Sequence, residues 1–173
     1  LIAAGCQTIV YQAINCPRYS DFEDYGYLLP MLHQMVGRRA RVIMADQLGN
    51  QPAYCEAFFQ LLRDRLVEIP KDKSILLVLS KHGHPFKKET QDLRADLYRK
   101  PLEAGLRTIM AEWGGKWDLI WSVDEYGDEF WDKKRTKLET YTAFRKAIEE
   151  GFDFALELPT EFTAENTDLM IFH

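Results

Sequence analysis

The segment SILLVLS, residues 74–80, gives the clearest indication of the fold class of this chain. Between the two serines lies an unbroken run of aliphatic side chains, with no polar residue alternating among them. A strand has this pattern when it lies inside a parallel sheet and is covered by helices on both faces. The stretch therefore predicts a buried central strand in an α/β fold.

The segments on either side of this strand alternate between strand-like and helix-like patterns. Short apolar runs predict strands, and longer amphipathic stretches predict helices. The predicted order is strand 8–14, helix 25–36, strand 39–45, helix 51–69, strand 74–80, helix 93–112, strand 117–123, helix 133–150 and strand 152–158. Regular alternation with short connections favours parallel sheets flanked by helices and joined by right-handed crossovers.

The overall composition excludes several classes of protein. The 173 residues are 46% hydrophobic and 28% charged, which predicts one medium globular domain or two small ones. The net charge of −5 and the lack of a basic run argue against nucleic-acid binding. The apolar runs are too short to cross a bilayer, which leaves peripheral contact with a membrane open. Nothing in the composition indicates an oligomeric state.

The cysteines argue against a structural role in cross-linking or metal binding. There are three, Cys6, Cys16 and Cys55, and none forms a C-x-x-C pair. An odd number at such wide spacings does not predict a disulfide framework, a zinc ribbon or an iron–sulfur cluster. We therefore predict a reducing compartment, with the cytoplasm as the location.

Two polar segments follow predicted strands and carry the residues that point to chemistry. Ser80, Lys81 and His82 follow the central strand, in the stretch SKHGHP (80–85). The acidic residues Glu161, Glu165 and Asp168 follow the last strand, and in a helix they would share one face. In α/β sheets the ligand crevice lies beyond the carboxyl ends of the strands. An imidazole and a carboxylate meeting there can act as an acid–base pair or bind a divalent cation. The simpler alternatives are a solvated loop histidine and a solvated acidic helix face.

At these positions the chain resembles the ferrochelatase family. The stretch ILLVLSKHGHP (75–85) resembles the family's S-x-H-x-x-P segment, and CPRYS (16–20) resembles P-Q-Y-S. Three later segments resemble G-D-P-Y, G-P-x-x-W-L-x-P-x-T and P-x-x-F-x-x-D-H-x-E-x-L in the same order. The residues they retain are Asp96 and Tyr98, then Gly127, Trp131 and Thr136, then Pro159 and Phe162, with Asp168 where the family has a glutamate.

This resemblance implies both a fold and a reaction. Ferrochelatases have two similar chelatase-type three-layer α/β domains, and they insert Fe²⁺ into a porphyrin at the end of haem synthesis. By this comparison, residues 1–72 would be the second half of an N-terminal domain, residues 73–173 would be most of a C-terminal one, and the family's first part would be missing.

The same resemblance implies roles for particular residues. The family's catalytic histidine and glutamate carry over to His82 and Asp168, which become the expected proton acceptor and metal ligand. Glu165 is a further expected ligand for the metal. The residues expected to line the porphyrin cleft are Tyr19, Ser80 and Trp131.

Departures from the family pattern lie in the acidic segment. Asn166 stands where the family has histidine, and Phe172 stands where another acid is usual. A tetrapyrrole- or metal-binding relative without activity is therefore a second hypothesis. KHGHP (81–85) suggests a histidine phosphatase as a third, but those enzymes need arginine before the histidine to hold phosphate with two bonds, and Lys81 is a poor substitute.

Overall fold

Every strand pairing in the described part of the chain is parallel. The computed structural model describes residues 1–12, 27–45, 48–82, 91–124 and 140–160. The strands are β1 (Thr8–Tyr11), β2 (Arg41–Met44), β3 (Ser74–His82), β4 (Lys116–Asp124) and β5 (Phe154–Pro159). β1 pairs with β2 in one sheet, and β3 lies between β4 and β5 in a second.

Helices alternate with these strands along the chain, as predicted. They are α1 (Leu29–Val36), α2 (Pro52–Val67), α3 (Gln91–Trp113) and α4 (Thr140–Glu149), with short 3-10 turns at Ile2–Ala4 and Leu48–Asn50. The α/β class with parallel sheets flanked by helices is confirmed. Pro52 occupies the first turn of α2, where its missing N–H would have no helical acceptor in any case.

The central strand β3 is buried on both faces, as its unbroken aliphatic run predicted. Residues 75–79 are all 0% exposed. Ile75, Leu77 and Leu79 face α2 and α3, while Leu76 and Val78 face α4. The two sets alternate because successive side chains of a strand point to opposite faces.

The two faces of the second sheet are covered differently. On one face, α2 and α3 contribute large side chains such as Phe58, Leu62 and Leu106 to the core. On the other face, α4 presents Ala143 and Ala147 to the sheet. Because alanine is small, α4 can approach the strands closely. The result is a helix–sheet–helix arrangement around β3.

The buried face of α2 differs from the sequence prediction. The amphipathic pattern of residues 51–69 predicts an apolar stripe of Ala53, Ala57, Phe58, Leu61, Leu62 and Leu66. Phe58, Leu62 and Leu66 are buried, but Ala53, Ala57 and Leu61 are exposed, Leu61 by 44%. Tyr54 and Cys55, outside the predicted stripe, are buried in their place. The observed buried face is turned about the helix axis relative to the predicted stripe, because α2 packs against α3 as well as against the sheet. The helical period of the sequence does not specify this second contact.

Two strands extend further than predicted, toward the polar segments. β3 continues to His82 instead of ending at residue 80, and β4 continues to Asp124. Backbone hydrogen bonds between parallel strands do not require apolar side chains, so the ladder continues past the end of the aliphatic pattern.

The division of the chain after residue 72 stays a prediction. Helix α2 precedes that point in sequence and packs in the same core as β3, which follows it. No helix within the described ranges is long and apolar enough to span a membrane.

Candidate functional site

The carboxyl ends of β3 and β4 form a topological switch point. Helix α3 follows β3 in sequence and lies on the face of Ile75, Leu77 and Leu79. Helix α4 follows β4 and lies on the opposite face. The chain therefore departs from two neighbouring strands toward opposite faces of the sheet. In open α/β sheets the ligand crevice lies at such a point.

His82 and Asp124 end the two strands at the switch point. They are backbone partners, in the last pair of the β3–β4 ladder. Residues at the same register position of parallel strands lie on the same face of the sheet, about 4.8 Å apart. The backbones of a histidine and an aspartate are thus neighbours at this edge. Sequence reasoning had singled out His82 but not Asp124.

Ser80 lies two residues before His82 and is fully buried. Its exposed fraction is 0%, and within the described part of the chain its hydroxyl has no hydrogen-bond partner. Its carbonyl oxygen, in contrast, accepts hydrogen bonds from the Thr160 backbone N–H at 2.8 Å and from Thr160 Oγ1 at 2.9 Å. Buried polar groups are nearly always satisfied, so the Ser80 hydroxyl is an unusual feature of this edge.

Thr160 connects the end of β5 to both β3 and α2. Its side chain is 0% exposed. While its N–H and hydroxyl bind the Ser80 carbonyl, its own carbonyl accepts a hydrogen bond from the Tyr54 hydroxyl. Tyr54 belongs to α2 and packs edge-to-face on Phe58 at 5.1 Å and on Tyr98 at 5.7 Å between ring centroids. The acidic segment therefore begins one residue beyond a position fixed to two other elements.

Two further hydroxyl groups lie together at the same edge, on the face of the sheet that α4 covers. Ser122 Oγ and Thr140 Oγ1 are 2.8 Å apart and both residues are buried. Ser122 is the register partner of Ser80 on the neighbouring strand. Among the described residues, the carboxyl edge of this sheet thus carries four buried hydroxyl residues, Ser80, Ser122, Thr140 and Thr160.

Charged groups lie on the α3 side of the same strands. The Arg99 guanidinium lies 5.5 Å from the ring centroid of Trp121, and the Trp121 indole N–H donates to Glu103 at 2.7 Å. Burial raises the pKa of the Glu103 carboxyl, but hydrogen bonds from Trp121 and Arg107 outweigh it and hold that pKa below its ordinary value. Glu103 is therefore a stably ionised anchor for Trp121 at neutral pH.

The described cysteines, Cys6 and Cys55, are both free thiols. Cys55 lies in the core between α2 and the sheet, and burial raises the pKa of its thiol. A raised pKa keeps the thiol protonated at neutral pH, and a thiol is a poor nucleophile. Cys55 is best explained as a small apolar core residue.

Most of the predicted site residues lie outside the described residues. These are Tyr19, Trp131, Glu165 and Asp168. Of the others, Ser80 is described in full and His82 as part of the backbone of β3. The expected meeting of His82 with Asp168 accordingly stays a prediction. Within the described ranges, no three His, Cys, Asp or Glu residues are grouped so that they could hold a metal ion.

Sequence reasoning missed three residues that build this edge: Tyr54, Asp124 and Thr160. The sequence did contain a signal for Asp124, because an acidic residue immediately after a predicted strand is a candidate site residue. Thr160 directly follows Pro159, but nothing in the sequence indicates that its hydroxyl reaches Ser80. Tyr54 lies 106 residues from its acceptor, so that only tertiary structure brings them together.

No protein-family model and no curated protein matches the chain.

Proposed function

We propose that this chain is a ferrochelatase-like metal chelatase, which inserts Fe²⁺ into a porphyrin in haem biosynthesis in the cytoplasm. One observation carries the proposal beyond the sequence resemblance. The chain leaves β3 at His82 and leaves β5 at Pro159, and the two neighbouring strands are joined beyond the ladder by the Thr160–Ser80 hydrogen bonds. The histidine and the acidic segment therefore start from adjoining points of one sheet edge, as a shared site needs.

The parallel sheets and their flanking helices support a chelatase-type architecture. On this proposal the β1–β2 sheet belongs to one chelatase-like unit, residues 1–72, and the β4–β3–β5 sheet belongs to a second, residues 73–173. The porphyrin would bind in a cleft between the units, lined by Tyr19, Ser80 and Trp131. Because the side chain of Ser80 is buried, we expect its contribution to come through the backbone position it fixes.

The proposed chemistry gives each polar group a part in the reaction. Two pyrrole N–H protons must leave the porphyrin as Fe²⁺, the second substrate, enters the ring. A neutral imidazole can accept a proton near neutral pH, so His82 is the proposed acceptor of such a proton. The Asp168 carboxylate holds the incoming cation or passes protons outward, and Glu165 adds a second oxygen ligand.

A titration followed by absorbance tests the proposal. Purified protein is titrated with porphyrin, first alone and then with Fe²⁺ under anaerobic conditions or with Zn²⁺, and metalloporphyrin formation is followed over time. We expect porphyrin binding and a metallation rate above that of free porphyrin. Histidine 82 is tested with His82→Ala, and His33→Ala is the matched control because His33 lies on an exposed face of α1.

The outcomes separate the hypotheses. His82→Ala should remove most of the catalysed rate, since a positioned general base contributes about 10²- to 10⁴-fold. An unchanged rate in His82→Ala, or no metalloporphyrin from the wild type with either metal, contradicts the enzymatic proposal.

A second candidate is a tetrapyrrole-binding relative without activity. It is favoured by Asn166 and Phe172, which replace two polar groups that the family uses in its acidic segment. On this alternative the protein binds porphyrin tightly and does not accelerate metallation. The same titration distinguishes the two, because binding and turnover change the absorbance spectrum differently.

A further inference from the structure

The hydroxyl of Ser80 lies inside the protein without a hydrogen-bond partner in the described part of the chain. The residue is 0% exposed, so bulk solvent does not reach it. A buried hydroxyl that forms no hydrogen bond costs free energy, and buried polar groups in proteins nearly always bind another polar group or an ordered water molecule. The polar groups on its own face of the sheet indicate which of these satisfies Ser80.

Ser80 lies on the face of the sheet that α4 covers. Leu76 and Val78 pack on that face, and Ser80 is the next residue of β3 that points the same way. Its register partner on β4 is Ser122, whose Oγ lies 2.8 Å from Oγ1 of Thr140, the first residue of α4. Hydroxyl groups from β3, β4 and α4 thus lie at one level of the core.

The side chains of the two strands become smaller toward this level. On the α4 face, β3 carries Leu76 and Val78 before its serine, and β4 carries Ile120 before Ser122. A serine on each strand occupies less volume between sheet and helix than the branched aliphatic residues that precede it. A water molecule takes up about 30 Å³ and needs two to four polar partners, which a pair of facing serines favours.

One water molecule can bond both serines. Register partners on neighbouring strands lie about 4.8 Å apart. Two O–H···O bonds of about 2.8 Å each span up to about 5.6 Å. We propose that an internal water molecule binds between Ser80 Oγ and Ser122 Oγ. It connects the end of β3 to the Ser122–Thr140 hydroxyl pair, and thus to the start of α4, at the switch point of the sheet.

The bound water reverses the expected effect of removing the Ser80 hydroxyl. Without the water, Ser80→Ala removes an unsatisfied polar group and raises the Tm. With the water, the same substitution removes a hydrogen bond. We therefore expect Ser80→Ala to lower the Tm by about 2–4 °C, the shift that one lost hydrogen bond causes in a chain of this size.

A double-variant cycle tests whether the water bridges the two serines. Ser80 and Ser122 share no direct hydrogen bond, so a water molecule that binds both couples the effects of removing them. The double variant Ser80→Ala/Ser122→Ala should lower the Tm by less than the sum of the single shifts. Ser80→Ala combined with Thr108→Val is the matched control. The Thr108 hydroxyl is exposed on α3, which covers the other face of the sheet, so these two shifts should add.

A crystal structure of the full chain observes the water directly. We expect a density peak within about 3.2 Å of both Ser80 Oγ and Ser122 Oγ in the wild type. The peak should be missing from Ser80→Val, because valine has no hydroxyl and takes up more volume than serine.

Each measurement has an outcome that overturns the water site. These outcomes are a Tm of Ser80→Ala above that of the wild type, an additive Ser80–Ser122 cycle, and a wild-type crystal structure without a peak between the two serines. None of the three measurements depends on metal insertion, so the water site stands or falls independently of the proposed function.

Discussion

His82 and Asp124 end neighbouring parallel strands as backbone partners, at the point where the chain turns to opposite faces of the sheet. Residue pairs in this relationship share one face of the sheet, about 4.8 Å apart. The nearest backbone neighbour of the predicted proton acceptor on β4 is therefore an acid. A carboxylate favours the protonated form of a histidine that it contacts, and this is the role that we propose for Asp124.

We expect Asp124→Asn to lower the rate of metalloporphyrin formation by about 10- to 100-fold, because the imidazolium formed by proton transfer would lose a stabilising charge. The rate is measured with saturating porphyrin and Zn²⁺. Asp118→Asn is the matched control, since Asp118 is an exposed acid of the same strand six positions away, toward the opposite edge of the sheet. Equal rates for the two variants would contradict a role for Asp124.

The buried hydroxyl pair at the same edge should be energetically coupled. Removing either hydroxyl from the Ser122–Thr140 pair leaves the other without that bond, at a cost of about 1–3 kcal/mol of unfolding free energy. We expect the double variant Ser122→Ala/Thr140→Val to lose less than the sum of the single losses, by about 0.5–3 kcal/mol. Urea unfolding of the three variants measures the coupling. Ser122→Ala combined with the exposed Thr108→Val should be additive, and an additive Ser122–Thr140 cycle would show that the pair does not interact.

At the opposite edge of the sheet, Asp153 should make stability depend on acid pH. The Ser74 backbone N–H and the Ser74 hydroxyl each donate to it at 2.8 Å, and Lys73 lies at 3.2 Å. These contacts, with the Ser74 backbone bond first, lower the pKa of the Asp153 carboxyl from 3.8 to about 2.

Because the folded pKa lies below the unfolded one, the stabilisation is complete above pH of about 4 and is lost as the pH falls toward 2. Asp153→Asn should therefore have a lower Tm than the wild type at pH 6, and the difference should shrink between pH 4 and 2. Asp72→Asn is the control, as a nearby exposed acid. A Tm difference that stays constant down to pH 2 would mean that ionisation of Asp153 does not contribute.

The contact between α2 and α3 depends on a glycine. A Cβ atom at Gly105 would lie 2.0 Å from the Phe59 ring, far inside contact distance. Replacing glycine by alanine within a helix usually stabilises a protein by about 0.5–1 kcal/mol, but here we expect the opposite sign because Phe59 must move.

Thermal unfolding should show a lower Tm for Gly105→Ala, partly restored in the double variant Gly105→Ala/Phe59→Leu. Ala104→Gly, at the adjacent exposed position of α3, reports the ordinary effect of helix propensity. A Tm for Gly105→Ala above that of the wild type would mean that the two helices separate at no cost.

Much of the scaffold could be predicted because it follows from local patterns. The unbroken run from Ile75 to Leu79 indicated a strand buried on both faces, since only that environment removes every residue of such a run from water. Alternation of strands and helices then indicated parallel pairing, because a parallel strand needs a crossover that a helix can provide. Both predictions were confirmed.

The order of the strands and the residues that hold the sheet edge required tertiary structure. Nothing local indicates that β5 lies beside β3, or that Tyr54 of α2 donates to Thr160 beyond β5. Hydrogen bonds between residues 80 or more positions apart depend on how the whole sheet is assembled. The spacing of aliphatic residues along the chain indicates which side chains are buried. A hydrogen bond between distant residues, in contrast, forms only after packing has brought its donor and acceptor within about 3 Å of each other.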